Sequence, residues 1–83
     1  MNRRVGIIGT GWVGASVAIS TLQSGVADAV WLHDTRTAVA EGEAMDLRHG
    51  AAFYPPCSVR VASLDEMRQT QVLVVAAGRG DAM

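Results

Sequence analysis

Val5-Gly6-Ile7-Ile8-Gly9-Thr10-Gly11-Trp12-Val13-Gly14 decides how this chain folds. The first four residues form a short apolar run bounded by Arg3-Arg4 and by glycines, the pattern of a strand buried on both faces. The next six spell G-x-G-x-x-G, and helical spacing takes over at once. From Trp12 to Ser24, apolar residues recur at Ala15, Ala18, Ile19 and Leu22, with Val13 and Val17 beside them. Gly25 stands where a left-handed residue would end that helix. A strand, a glycine turn and a helix of about three turns are expected in that order.

Working outward, Ala29-Val30-Trp31-Leu32-His33 reads as a second strand, rich in aromatic and β-branched residues and closed by Asp34. From Thr37 to about His49 helix formers dominate, and Ala40, Ala44 and Leu47 fall on one face. Gly42 inside that helix costs about 1 kcal/mol against alanine, which predicts a close contact there. Pro55-Pro56 ends any helix. Ser58 to Ala62 alternates like a weaker third strand, Leu64 to Gln69 makes a turn or short helix, and Val72 to Ala76 is a fourth strand with no polar residue. A run of that kind requires cover on both faces.

Strand, helix, strand, helix, strand, short helix, strand is the order of a doubly wound α/β fold with a parallel sheet. In the usual strand order 3-2-1-4-5-6, the fourth strand is interior. A chain closing at Met83 would leave Val72 to Ala76 as an apolar edge with unpaired backbone groups. The expectation is that residues 1–83 are the N-terminal portion, about four strands, of a larger Rossmann-type domain, with any substrate domain absent.

The 83 residues, 49% hydrophobic and 18% charged with net charge −1, amount to one small domain. A chain this short hides only roughly 60% of its unfolded surface, so a core built alone is marginal. The seven basic residues, all arginine, are interspersed with eight acidic ones and form no run that tracks phosphates, which argues against nucleic-acid or membrane-surface binding. Cys57 stands alone and makes no internal disulfide, and no basic segment with a long apolar stretch opens the chain. A cytoplasmic location is expected.

The glycine motif carries the chemistry. Gly9 permits the tight turn, Gly11 lets backbone approach a pyrophosphate, and Gly14 lets the helix press against the sheet. Backbone N–H groups around Trp12 and Val13 then face the phosphates at the positive end of the helix dipole. Asp34 ends the second strand 20 residues beyond Gly14, where a carboxylate accepts hydrogen bonds from the adenosine ribose hydroxyls. The same charge repels a 2′-phosphate, so NAD is expected over NADP, although Arg36 nearby is the kind of residue that accommodates such a phosphate. The competing view makes the glycines a plain strand-to-helix joint and Asp34 a solvated turn residue. It requires glycine spacing, strand, helix and acid to coincide by chance.

These residues resemble the lactate/malate dehydrogenase family of NAD-dependent L-2-hydroxy-acid oxidoreductases, in its N-terminal part only. Beyond the glycine loop and Asp34, the resemblance rests on Gly42-Glu43-Ala44-Met45-Asp46-Leu47-Arg48-His49-Gly50, on Phe53 with Pro55-Pro56, and on Val74-Val75-Ala76-Ala77-Gly78. The Ala-Met-Asp-Leu-x-His-Gly wording is more similar to L-lactate than to malate dehydrogenases. The resemblance implies that Gly9, Gly11, Trp12, Val13, Gly14 and Asp34 contact NAD and that Ala77, Gly78 and Arg79 lie beside the adenosine pyrophosphate. It also implies a small 2-hydroxy or 2-keto acid as substrate of a full-length parent, and a homodimer or homotetramer with the second helix at a subunit interface. Two positions depart from the family, Val39 where a lysine is common and Leu64 where a tyrosine is sometimes found.

In the family, the mobile loop that selects substrate, the carbonyl-polarising and carboxylate-binding arginines and the Asp-His proton relay lie beyond the segment matched here. No catalytic residue is therefore expected among these 83, and the chain alone is expected to be inactive. His33 and His49 are expected in structural or surface roles, Cys57 as a loop residue, Trp12 and Trp31 in packing. Lactate is the favoured substrate and malate the alternative. A free-standing NAD-binding module without catalysis, or an insoluble product of gene decay, are the readings from other classes.

Overall fold

Apolar runs of four or five residues separated by two 13-residue helices fold into a four-stranded parallel sheet. A computed structural model describes residues 3–9, 11–50 and 54–76, Trp12 by its backbone. Strand β1 is Arg4–Ile8, helix α1 Trp12–Ser24, β2 Ala29–His33, α2 Thr37–His49 and β3 Ser58–Val61. A 3-10 turn at Glu66–Gln69 leads into β4, Val72–Val75. The strand order is β3-β2-β1-β4. Neighbours are parallel throughout, with Gly6 of β1 opposite Trp31 of β2 and Leu73 of β4, and Trp31 opposite Arg60 of β3. This is the first half of the expected doubly wound order.

Both helices cover one face of the sheet. Val5, Ile7, Val30, Leu32 and Val59 point to that side and pack with Ala18 and Leu22 of α1 and Ala44 and Leu47 of α2. Ile7, Val30 and Leu32 are essentially inaccessible, and each such burial contributes about 1.5–3 kcal/mol. Helix α2 buries Ala40, Ala44 and Leu47, the face its spacing predicts. Arg48 further ties it to the sheet, its Nε donating to the Val59 carbonyl at 2.8 Å.

Helix α1 corrects the expectation in one respect. The buried line is Gly14, Ala18 and Leu22, four residues apart, while Ile19 and Val13 are exposed. Small residues at the first two points of that line set the helix close to β1, and this turns Ile19 outward. Gly25 ends the helix as expected, at φ 72°, its N–H donating to the Leu22 carbonyl. Gly42 is a second correction: it is exposed, and a Cβ there would meet nothing within 4 Å among the described residues. The close contact predicted for it is not found among the described residues.

The opposite face is built differently. The 3-10 turn sends Met67 over β1, where Gly6 leaves the space; a Cβ on Gly6 would lie 2.6 Å from Met67 Sδ and 3.1 Å from Leu73 and Thr70 side-chain carbons. Met67, Ala29, Trp31 and Ala62 form this smaller cluster. The guanidinium carbons of Arg60 and Arg4 lie 4.1 and 5.2 Å from the Trp31 ring centroid, within cation–π range. At the edge, Val72, Leu73 and Val75 are all exposed, Val75 by 68%. Among the described residues the fourth strand therefore lacks the cover on both faces that its apolar run calls for.

Candidate functional site

The carboxyl ends of the strands converge where β1 and β2 meet. Gly9 leaves β1 with φ 95°, a conformation closed to most L-residues, and its N–H donates to the His33 carbonyl at 2.7 Å. That bond joins the glycine turn to the last residue of β2 and places it next to Asp34. The Ala76 N–H donates to the Ile8 carbonyl at 2.8 Å and brings the end of β4 to the same place.

Each glycine has its own geometric reason. A Cβ on Gly14 would fall 1.9 Å from the Gly9 carbonyl oxygen, an overlap with backbone that no rotamer relieves. Gly14 is therefore what permits α1 to start against the turn. Gly11 is the N-cap, with no side-chain cap, and a Cβ there would meet nothing within 4 Å among the described residues. None of the described residues beyond its chain neighbours closes off the space beside Gly11. The first intrahelical bond runs from the Ala15 N–H to the Gly11 carbonyl, so the N–H groups of Trp12, Val13 and Gly14 have no acceptor within the helix. No acidic residue occupies the first turn. A helix start of this kind, uncapped and without negative charge, suits an anion.

Asp34 is not a solvated turn residue. Its carboxylate is buried, and the Arg36 backbone N–H donates to Oδ1 at 2.9 Å. The Arg36 side chain closes over the same group, Nε at 3.2 Å from Oδ1 and Nη2 at 3.4 Å from Oδ2. This ion pair is a feature that the sequence shows only as two nearby residues.

The remaining sequence candidates separate cleanly. His33 Nδ1 is bonded to the Ala62 carbonyl at 3.0 Å, a tie between the ends of β2 and β3. His49 is exposed at the end of α2. Cys57 lies in the loop before β3, where burial pushes its thiol pKa up, away from nucleophile chemistry. Trp31 is a packing residue. Val39 and Leu64, the departures from the family pattern, are both exposed. Thr10, Ala77, Gly78 and Arg79 lie outside the described residues. A cavity of about 400 Å³ lies at the other end of the sheet, among Leu22, Leu47, Tyr54, Pro55 and Val59, remote from the glycine turn. Among the described residues no cluster forms a metal site, and no helix is long and apolar enough to cross a membrane.

Sequence reasoning passed over Ser63-Leu64-Asp65-Glu66. Ser63 Oγ accepts from the Glu66 N–H at 3.1 Å and Glu66 Oε1 accepts from the Ser63 N–H at 2.9 Å, a reciprocal capping box. Its S-x-x-E spacing is legible in the sequence. Glu66 also accepts from Arg60 Nη2 at 2.8 Å, and this bond, with the Ser63 N–H, holds its carboxyl pKa down to about 2. The box anchors the turn that carries Met67, so it serves the fold rather than the site.

A parallel sheet in the order β3-β2-β1-β4, with a glycine turn at a helix start and a buried acid at the next strand end, defines a Rossmann-type domain. Comparison with known proteins narrows the class. Residues 3–81 match the lactate/malate dehydrogenase NAD-binding domain, and the chain belongs to that family. It is 42% identical over 76 residues to the L-lactate dehydrogenase of Bacillus caldotenax, covering 90% of this chain and 24% of that one. Among solved structures, a lactate dehydrogenase from a Medee basin deep-sea metagenome library superposes with TM-score 0.87 at 37% identity, over 93% of this chain and 25% of that one. Cryptosporidium parvum malate dehydrogenase superposes with TM-score 0.83 at 29% identity, over 94% and 25%. The chain thus spans about a quarter of the length of the relatives it matches.

Proposed function

We infer that this chain is the nucleotide-holding N-terminal portion of an NAD-dependent dehydrogenase that interconverts an L-2-hydroxy acid and its 2-keto acid, with L-lactate and pyruvate as the pair. The carrying observation is the joint placement of the Gly9–Gly14 turn and Asp34, linked by the Gly9 N–H to His33 carbonyl bond. In this reading the N–H groups of Trp12, Val13 and Gly14 hold the pyrophosphate, Gly9 and Gly11 allow its close approach, and Asp34 accepts from the adenosine ribose. Ala77, Gly78 and Arg79 border the same nucleotide. NAD supplies the hydride acceptor. This chain's residues bind and orient it.

Reduction of a keto acid also needs a proton donor, a cation for the carboxylate and a site closed to water. The reading assigns those groups to the three quarters of the relatives' length that this chain does not span. His33 is read as structural, its Nδ1 bond to Ala62 tying the ends of β2 and β3 together. The preponderance of L-lactate dehydrogenases among the relatives supports lactate; the likeness to a malate dehydrogenase structure keeps malate as the second reading. Titration of NADH into the chain, followed by anisotropy of the nicotinamide emission, tests the reading. Saturable binding that Asp34→Ala weakens by about tenfold supports it. Binding insensitive to Asp34, or no binding by a folded sample, contradicts it.

A further inference from the structure

We propose that the cavity at the end of the sheet opposite the glycine turn is a second ligand site, one that takes a small monocarboxylate with an apolar body and holds it by Arg48. The inference is independent of the NAD reading. The cavity's volume, about 400 Å³, is that of a small-ligand pocket, and its walls are mostly apolar, with Leu22 of α1, Leu47 of α2 and Val59 of β3 among them. Close contacts at two helix ends hold the loop that borders it. A Cβ on Gly25 would lie 3.1 Å from Pro55 Cγ, and one on Gly50 would lie 3.1 Å from Tyr54 Cε2, so each ring rests on a position without a side chain. The Ser58 N–H donates to the Asp28 carbonyl at 3.0 Å and pins the far end of the loop beside the start of β2. The hollow is therefore a product of anchored walls.

The charge on those walls decides what enters. Arg48 is the charged residue of the lining, and its Nε donates to the Val59 carbonyl at 2.8 Å. That bond holds the exposed guanidinium at the lip of the cavity, and its two terminal nitrogens have no acceptor among the described residues. Arg3, Arg36, Arg60 and Arg68 each pair with a carboxylate of the chain, whereas Arg48 does not. Two terminal nitrogens side by side match the two oxygens of a carboxylate. A neutral head group gains less from them, and a cation is repelled. Both helices end on this side, where their last carbonyls carry partial negative charge, so an anion depends on Arg48 in particular. Asp28, on the same side, is already bound to Arg3, and burial keeps the Cys57 thiol neutral.

Octanoate, 1-octanol and octylammonium share one chain and differ in head charge, so titrating each while following methyl NMR signals reads the site directly. The titrations are run on wild type, Arg48→Gln and Arg48→Lys, in the 83-residue chain and in a chimera where it replaces the matching segment of a full-length L-lactate dehydrogenase. Circular dichroism verifies folding of every variant. Saturable shifts are expected at Leu22, Leu47 and Val59 with octanoate, about tenfold tighter than with octanol and tighter still than with octylammonium. Hexanoate, two methylenes shorter, should bind about tenfold more weakly than octanoate. Arg48→Gln should remove the preference for octanoate and leave octanol binding in place, and Arg48→Lys should restore part of that preference. Equal binding of the three probes, or a preference that survives Arg48→Gln, overturns the proposal. So do shifts spread over the exposed Val72, Leu73 and Val75, the mark of general adsorption to apolar surface. A folded chimera without saturable octanoate binding overturns it as well. Saturating NADH should leave octanoate affinity unaltered; competition would place octanoate in the dinucleotide site and overturn the proposal while the NAD reading stands.

Discussion

The two faces of the sheet solve the same problem by different means. On the helix-covered face, Ile7, Val30 and Leu32 meet Ala18, Leu22, Ala44 and Leu47, and exclusion of water does the stabilising. On the other, Gly6 makes room for Met67, and two arginines lie on Trp31. There a tight local fit and cation–π contacts stand in for a second helical layer. The first face depends on summed apolar area, which tolerates change in detail but not in volume. The second depends on a few individual contacts, and it leaves Leu73 and Val75 uncovered.

Leu32→Ala should show the largest effect, a loss of about 2–5 kcal/mol in urea denaturation, enough to unfold a chain of marginal stability. If Trp31→Phe, which keeps an aromatic ring on the other face, costs as much, the contrast between the faces is broken. Gly6→Ala should cost about 1–3 kcal/mol by overpacking against Met67, Leu73 and Thr70. Adding Met67→Ala should return part of that cost, and additive losses in the double variant would mean that Gly6 matters for some reason other than space.

The third prediction sharpens the comparison by separating shape from charge on the second face. Ser63→Ala should lose about 1 kcal/mol by opening the capping box under Met67. Glu66 has a folded pKa of about 2 against an ordinary value of 4.5, so its ionised form favours the folded state. That contribution is complete above pH 4.5 and fades as pH falls towards 2. Glu66→Gln keeps an acceptor for the Ser63 N–H, removes the Arg60 pairing, and should flatten the acid side of the stability profile. An unaltered profile would place the acid sensitivity elsewhere, with Asp28 the next candidate, since the Arg3 N–H also holds its carboxyl below the ordinary value.

The smallest effect is a gain. Gly42→Ala should stabilise by about 0.4–1 kcal/mol, because the position is helical and meets nothing among the described residues. A loss instead, growing with protein concentration, would show that Gly42 packs against a second subunit.

Much of this was legible in the residues. Helix α1 runs Trp12–Ser24 and α2 Thr37–His49, at the bounds the sequence predicts; Gly25 stops α1 by its left-handed backbone, and α2 stops ahead of Pro55-Pro56. Strand identity was equally local. The burial direction of α1 was not, because Ile19 and Ala18 are neighbours in an almost wholly apolar helix. Only the close approach at Gly14 chooses between them. The site follows the same division: glycine spacing and the Asp34 offset mark the positions, whereas nothing local says that Arg36 folds back over the carboxylate.

By itself the sequence determined the order of elements, the parallel class of the sheet, the glycine turn and the apolar fourth strand, because each rests on backbone preference or on the periodicity of a few consecutive residues. The tertiary structure alone decided the outward placing of Gly42, the fit of Met67 over Gly6 and the pairing that covers Asp34. Those depend on which surfaces meet across the sheet, and contacts between distant residues leave no local periodicity to read.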